Sequence, residues 1–136
     1  MNNTSATVRV EHLHDPEVIK MSWDHRVSSD DVYSAFKAIT VILEQSETEL
    51  YVLVDILANP NFPFSATVNG AMFGPYRNPK LIAWLIVGSS HAGRMIERVL
   101  TAVTKRRNVE WFDSEADALA YMAQQSVASE TLQVKR

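Results

Sequence analysis

The chain has 136 residues, of which 46% are hydrophobic and 21% charged, and this predicts one domain, residues 1–136, with its own hydrophobic core. The absence of cysteine excludes a disulfide framework, and a start without signal-peptide character favours a cytoplasmic protein. No apolar run reaches the roughly 18 residues of a membrane span, and the net charge of −3 argues against general nucleic-acid binding.

The N-terminal part of the sequence predicts a β-hairpin followed by a helix. Residues 7–12 and 19–23 alternate polar and apolar side chains around a turn at residues 14–17, which is typical of antiparallel strands with one wet face. Residues 28–31 form a capping box. The helix that it opens has apolar residues at helical spacing, namely Val32, Phe36, Ile39 and Leu43.

Two runs that are apolar on both faces, residues 50–56 and 81–87, predict the central strands. Such strands must be covered on both faces, which indicates a parallel sheet between layers of helices. The first run ends near Asp55, and the second is followed by Gly88, Ser89 and Ser90. Both strands therefore bring polar residues to the carboxyl edge of the sheet, where open α/β folds bind their ligands.

The sequence patterns that predict the remaining helices and strands are weaker. A helix is predicted over residues 65–73, although Gly70 in its middle costs about 1 kcal/mol against alanine. A strand at residues 109–112 precedes a capped helix start at residues 113–117, and the polar chain over residues 125–136 is expected to fray, as are residues 1–5. A helix packed on the sheet is indicated by Met95, Ile96, Val99, Leu100 and Val103.

The predicted fold class is therefore α/β, with an N-terminal antiparallel hairpin joined to a mainly parallel sheet flanked by helices, in the order β-β-α-β-α-β-α-β-α. This pattern resembles the STAS-like fold of bacterial anti-sigma-factor antagonists and of related bacterial STAS/Sec14-like proteins. The resemblance covers residues 6–124 and is carried by residues 51–55, 78–81, 85–90 and 109–121.

In the antagonists, a hydroxyl residue shortly after the strand that ends in aspartate is phosphorylated by a partner kinase, and the resemblance maps that residue onto Ser65. The surrounding sequence, residues 63–66, lacks the acid, the paired hydroxyl and the glycine of the antagonists' motif. A helix N-cap explains Ser65 by itself. Ser65 as a phosphosite is the alternative interpretation.

The turn after the second central strand predicts an anion site. Backbone N–H groups at Gly88, the hydroxyls of Ser89 and Ser90 and a helix dipole can together hold a negative group, and Arg94 adds a full positive charge nearby. Helix capping by the two serines is the competing interpretation. Arg94 belongs to a basic stripe at helical spacing that also contains His91, Arg98 and Lys105.

Aromatic residues in the loop before the predicted helix at residues 65–73 form a third candidate feature. Phe62 and Phe64 flank a proline at the edge where the strands end. They could line an apolar ligand pocket or face a protein partner. The alternative is that they only cover the core, as most aromatic residues do.

The patterns of common enzymes are not found in this sequence. There is no cysteine nucleophile, no Gly-x-Ser-x-Gly elbow and no dinucleotide-binding fingerprint. His12 and His14 have a spacing that can chelate a metal, but no motif places a third ligand, so a surface pair is predicted and no metal or cofactor is expected. A small hydrolase or lyase that uses Asp55 and His91 is an alternative.

The sequence as a whole predicts a non-catalytic regulatory or binding module of STAS/Sec14-like type. Its expected partner is a protein or a small amphiphilic or anionic ligand, with no nucleic acid and no membrane span, and a homodimer is left open. A phosphorylation-switched anti-sigma-factor antagonist is the first alternative function. The candidate binding residues are Asp55, Phe62, Phe64, Ser65, Gly88, Ser89, Ser90 and Arg94.

Overall fold

A computed structural model of the chain describes residues 2–4, 8–14, 16–23, 28–57, 64–72, 74–88, 91–105 and 108–134. The strands are β1 (Asn2–Thr4), β2 (Val8–His14), β3 (Glu17–Trp23), β4 (Leu50–Asp55), β5 (Leu81–Val87) and β6 (Val109–Phe112). The helices are α1 (Ser29–Gln45), α2 (Phe64–Met72), α3 (His91–Thr104) and α4 (Glu115–Val134), with a short 3-10 helix at Pro75–Arg77.

The strands form a single six-stranded sheet whose spatial order is the same as the chain order, β1-β2-β3-β4-β5-β6. The pairs β1–β2 and β2–β3 are antiparallel, and the three later pairs are parallel. The predicted fold class, a hairpin joined to a mainly parallel sheet, is confirmed. The structure adds β1, which lies within residues 1–5, where the sequence predicted fraying.

Helix α1 begins as the sequence predicted. Ser28 is its N-cap, and its hydroxyl accepts a hydrogen bond from the Asp31 backbone N–H at 3.1 Å. The Asp31 carboxylate accepts one from the Ser28 backbone N–H at 3.3 Å, which completes the capping box. The four apolar residues that predicted this helix, Val32, Phe36, Ile39 and Leu43, are all buried.

Helices α1, α2 and α3 cover one face of the sheet, and α4 covers the other. On the first face, sheet residues such as Val52, Val54 and Ile86 pack against Phe36 of α1 and Ile96 of α3 in one core cluster. On the second face, a smaller cluster joins the sheet to α4 through Val18, Leu53, Leu85, Val87, Ala118 and Met122. Residues 52–54 and 83–87 are buried because of this layering, whereas Ile82 near the start of β5 is exposed.

Helix α2 approaches α1 closely at the glycine that the sequence marked only as a cost to helix stability. A Cβ atom placed on Gly70 would lie 2.5 Å from Cδ2 of Phe36. That is closer than real side-chain carbons come to one another, so the absence of a side chain at Gly70 permits the contact between the two helices.

Two predictions about the helices differ from the structure. Met95 and Val103, which were expected to pack on the sheet, are 46% and 52% exposed. Met95 is turned about 100° around the helix axis from the buried Ile96, and Val103 lies in the last turn of α3. Helix α4 continues beyond the predicted fraying point to Val134, over a segment that contains no glycine or proline to stop it.

Candidate functional site

A cavity lies between the sheet and the three helices α1, α2 and α3. Its floor is a row of side chains that cross four neighbouring strands in register, with Met21 paired to Val54, Val54 to Ile86, and Ile86 to Trp111. Val54, Ile86 and Trp111 are each the penultimate residue of a parallel strand. The cavity therefore lies under the carboxyl half of the sheet, the region in which open α/β folds bind ligands.

The walls of the cavity are apolar, and its volume is about 60 Å³. Phe36 comes from α1, Ala71 from α2, and Gly93, Ile96 and Leu100 from α3. About 10 to 15 Å³ of such volume is needed for one water-sized group, so the cavity has room for about four to six non-hydrogen atoms. A short aliphatic chain or a few water molecules would fill it.

Two polar atoms on the cavity lining have no hydrogen-bond partner among the described residues. These are the hydroxyl oxygen of Thr67 and the indole nitrogen of Trp84. The two residues are only 6% and 5% exposed, respectively. A buried polar group without a partner costs about 1 to 3 kcal/mol, and Trp84 is held in place by an edge-to-face contact with Phe36 at 5.7 Å between ring centroids.

The cavity opens between α3 and β6. Glu97 and Trp111 are the two lining residues that are partly exposed, whereas the other lining side chains are buried. The Trp111 indole N–H donates a hydrogen bond of 2.8 Å to Oε1 of Glu97. The Arg94 guanidinium lies over the Trp111 ring, 4.5 Å from its centroid, as expected of a cation–π contact. An acidic and a basic side chain thus flank the opening.

Asp55 and Gly88 both lie at the carboxyl edge, as predicted, and both have structural roles there. The Asp55 carboxylate accepts a hydrogen bond from the Leu57 backbone N–H at 3.0 Å. Gly88 has a φ of +124°, and a Cβ atom on it would lie 2.8 Å from Cγ1 of Ile56, so the turn requires glycine. Its backbone N–H donates to the Phe112 carbonyl at 2.9 Å. Among the described residues, no hydrogen bond or ion pair joins Asp55 to the exposed His91.

The other predicted site residues lie in or near α2 and the start of α3. Ser65 is exposed and is the second residue of α2, so it is not the N-cap that the sequence predicted. Phe64 begins the same helix, and only its backbone is described. Phe62, Ser89 and Ser90 lie outside the described residues, so their predicted roles stay predictions.

Sequence reasoning missed most of the cavity. Trp84 was recognised only as part of a buried strand, and Thr67 only as part of a weak helix. One available signal was the polar residue Thr67 among apolar neighbours, Ala66 and Val68, in a segment that also contains Gly70. Glu97 could not have been found, because its role depends on how α3 lies against β6.

No protein-family model matches the chain, and no curated protein matches it in sequence. Among solved structures, it is similar to an uncharacterised protein of the DUF3478 family with a SpoIIAA-like fold from Shewanella loihica PV-4. The two share 16% sequence identity with a TM-score of 0.60, over 89% of this chain and 98% of that chain. This similarity confirms the predicted STAS-like fold, and at such low identity it shows the fold alone. No helix in the described part of the chain is both long and apolar enough to cross a membrane.

Proposed function

We propose that this protein is a non-catalytic binding module of STAS/Sec14-like type, which takes a short amphiphilic ligand into the cavity under α2 and α3. The observation that carries the proposal is the pair of unpartnered polar groups, Thr67 Oγ1 and Trp84 Nε1, on the lining of an otherwise apolar cavity. Natural proteins rarely leave buried polar groups without a partner. A ligand with one hydrogen-bonding atom inside an apolar body would satisfy them.

The opening of the cavity supports an acidic head group on this ligand. Arg94 carries a positive charge over the face of Trp111, beside the opening, and it is exposed. An anionic head at this point would pair with the guanidinium while the apolar part of the ligand extends inward. Glu97, which accepts the hydrogen bond of the Trp111 indole N–H, disfavours a second negative charge, and this points to a ligand with one acidic group.

The proposal is tested with a series of straight-chain carboxylates from acetate to octanoate, titrated into isotope-labelled protein. The indole N–H signal of Trp84, assigned with the Trp84→Phe variant, should shift in a saturable way. Each CH₂ that enters the cavity should tighten binding by about fourfold, and the gain should stop near five carbons because the volume is then full. Octylammonium, which has the same tail and the opposite charge, is the control ligand.

Two charge variants on α3 separate a local site from general surface attraction. Arg94→Glu should weaken carboxylate binding strongly, whereas Arg98→Glu, an exposed arginine one turn further along the helix, should change it little. Equal effects of the two variants would mean that general surface charge, and not a local site at Arg94, attracts the carboxylate. If no carboxylate moves the Trp84 signal and that N–H exchanges rapidly with solvent, the cavity holds water and the proposal fails.

The phosphorylation-switched antagonist remains a second candidate because of one observation. Ser65 is exposed in the first turn of α2, where a phosphate would interact favourably with the helix dipole. Because the sequence around it lacks the antagonists' motif, we expect Ser65 to carry no phosphate in protein purified from its own host. Stoichiometric phosphate on Ser65, mapped by peptide mass spectrometry, would place the switch ahead of the ligand-binding function.

A further inference from the structure

The end of the β2–β3 hairpin brings together three side chains that can bind a metal ion. His12 and His14 are on β2, and Glu17 is the first residue of β3. One potential ligand atom from each residue lies within 4.8 Å of those of the other two. The sequence placed only the two histidines together, because no motif linked them to a carboxylate.

The strand register explains why the three side chains share one face of the sheet. Residues two apart on a strand point to the same side, so His12 and His14 lie together. His14 pairs directly with Glu17 across the hairpin, and His12 pairs with Ile19. Paired residues on neighbouring strands also point to the same side. All three groups are thus positioned by backbone pairing within one short segment of the chain.

The contacts within the cluster are already close to those of a metal site. Nε2 of His12 lies 3.2 Å from Oε1 of Glu17, and the two imidazole rings are 4.4 Å apart between centroids. Zinc bonds of about 2.0 to 2.1 Å in a tetrahedral arrangement hold ligand atoms about 3.3 Å apart. The longer separations in the cluster can close by rotation of His14 and Glu17, which are both exposed.

We propose that His12, His14 and Glu17 bind a divalent transition metal ion of the zinc class. Two imidazoles and one carboxylate are a ligand set that zinc uses in open sites, where water takes the fourth position. The hairpin end lies at the amino end of β3, whereas the cavity lies toward the carboxyl ends of the parallel strands. The metal site therefore stands apart from the proposed ligand site, and each can fail without the other.

The test uses untagged, full-length protein from which metal has been removed by a chelator. Titration with ZnCl₂, followed by calorimetry, should show one saturable site per chain, and Co²⁺ should give the visible absorption bands of a tetrahedral complex. Even residues that only support metal ligands contribute about 10- to 100-fold in affinity. His14→Ala and Glu17→Gln should therefore each weaken zinc binding by at least about tenfold.

The control variant is His91→Ala, which removes an exposed histidine outside the cluster and should leave zinc binding unchanged. The histidine ring signals of His12 and His14, but not of His91, should shift when zinc is added to the unmodified protein. If zinc binds equally well to the His14→Ala and His91→Ala proteins, or if no saturable site is found, the proposal is wrong.

Discussion

The helices pack against the two faces of the sheet in different ways. On the α4 face, Tyr121 packs against Tyr51 and Phe112, with ring centroids 6.4 and 5.4 Å apart, and the Lys20 ammonium forms a 2.6 Å ion pair with Glu115 at the start of the helix. On the opposite face, three helices leave a cavity whose lining includes the unpartnered atoms of Thr67 and Trp84.

The difference supports the proposal that one face serves stability and the other serves binding. On the α4 face, the aromatic contacts of Tyr121 and the ion pair of Lys20 with Glu115 join the helix to the sheet, so this face holds the fold together. The other face keeps unpartnered polar groups and empty volume, both of which lower stability. Natural proteins tolerate such costs mainly at functional sites.

The largest expected effect is on the α4 face. Leu85 is fully buried in the central strand β5, within the cluster that packs on α4. Leu85→Ala should lower the free energy of unfolding by about 2 to 5 kcal/mol, because the removed side chain leaves a hole in a packed region. Urea denaturation followed by circular dichroism measures this. A loss below about 1 kcal/mol would show that this face is not the stabilising one.

A smaller loss is expected where α2 meets α1. Gly70→Ala adds a carbon 2.5 Å from the Phe36 ring, and the resulting overpacking should cost about 1 to 3 kcal/mol. This should outweigh the gain in helix propensity of about 1 kcal/mol. Asn69→Ala, an exposed change in the same helix, is the control, and its unfolding free energy should change little. If Gly70→Ala raises the unfolding free energy, the helices are not in close contact.

On the cavity face, one substitution should raise stability and lower binding. Thr67→Val keeps the shape of the side chain and removes the unpartnered hydroxyl, so the unfolding free energy should rise by about 1 kcal/mol. Carboxylate binding should weaken in the same variant. In the control variant Thr40→Val, the lost hydroxyl donates to the Phe36 carbonyl at 2.9 Å, so that variant should gain no stability. If Thr67→Val and Thr40→Val change the unfolding free energy equally, the contrast between the two faces is contradicted.

The smallest expected effect is a loss of stability at alkaline pH, which arises from two tyrosines on the α4 face. Burial raises the pKa of Tyr51, and the nearby Tyr121 raises it further. Burial also raises the pKa of Tyr121, with a contribution from the charge of Glu110. The folded protein therefore holds these phenol protons more tightly than the unfolded chain, so their stabilising effect is present below pH 10 and lost as pH rises through the raised values.

The matching experiment compares unfolding midpoints in urea over the alkaline range. The unmodified protein should lose stability as the two phenols ionise. A variant carrying both Tyr51→Phe and Tyr121→Phe should lose less over the same range, because phenylalanine keeps the ring contact and has no proton to release. Identical pH profiles for the two proteins would rule out a contribution from these tyrosines.

Much of the fold followed from the sequence because local patterns dictate it. Runs apolar on both faces can be buried only between two layers, as residues 83–87 are, and the capping box at Ser28 marks a helix start without tertiary information. The cavity could not be predicted in this way. It depends on how far α2 and α3 stand from the sheet, which is set by contacts such as that of Gly70 with Phe36, between residues distant in sequence.

The identical order of strands in the sheet and in the chain has a consequence for how the protein is made. Among the described residues, each strand after β1 pairs with the strand synthesised just before it, so the sheet can grow at one edge as the chain leaves the ribosome, without waiting for a distant segment. The cavity is an exception to this early assembly. Its floor ends at Trp111 in β6, so a nascent chain acquires a complete cavity only when synthesis has passed β6.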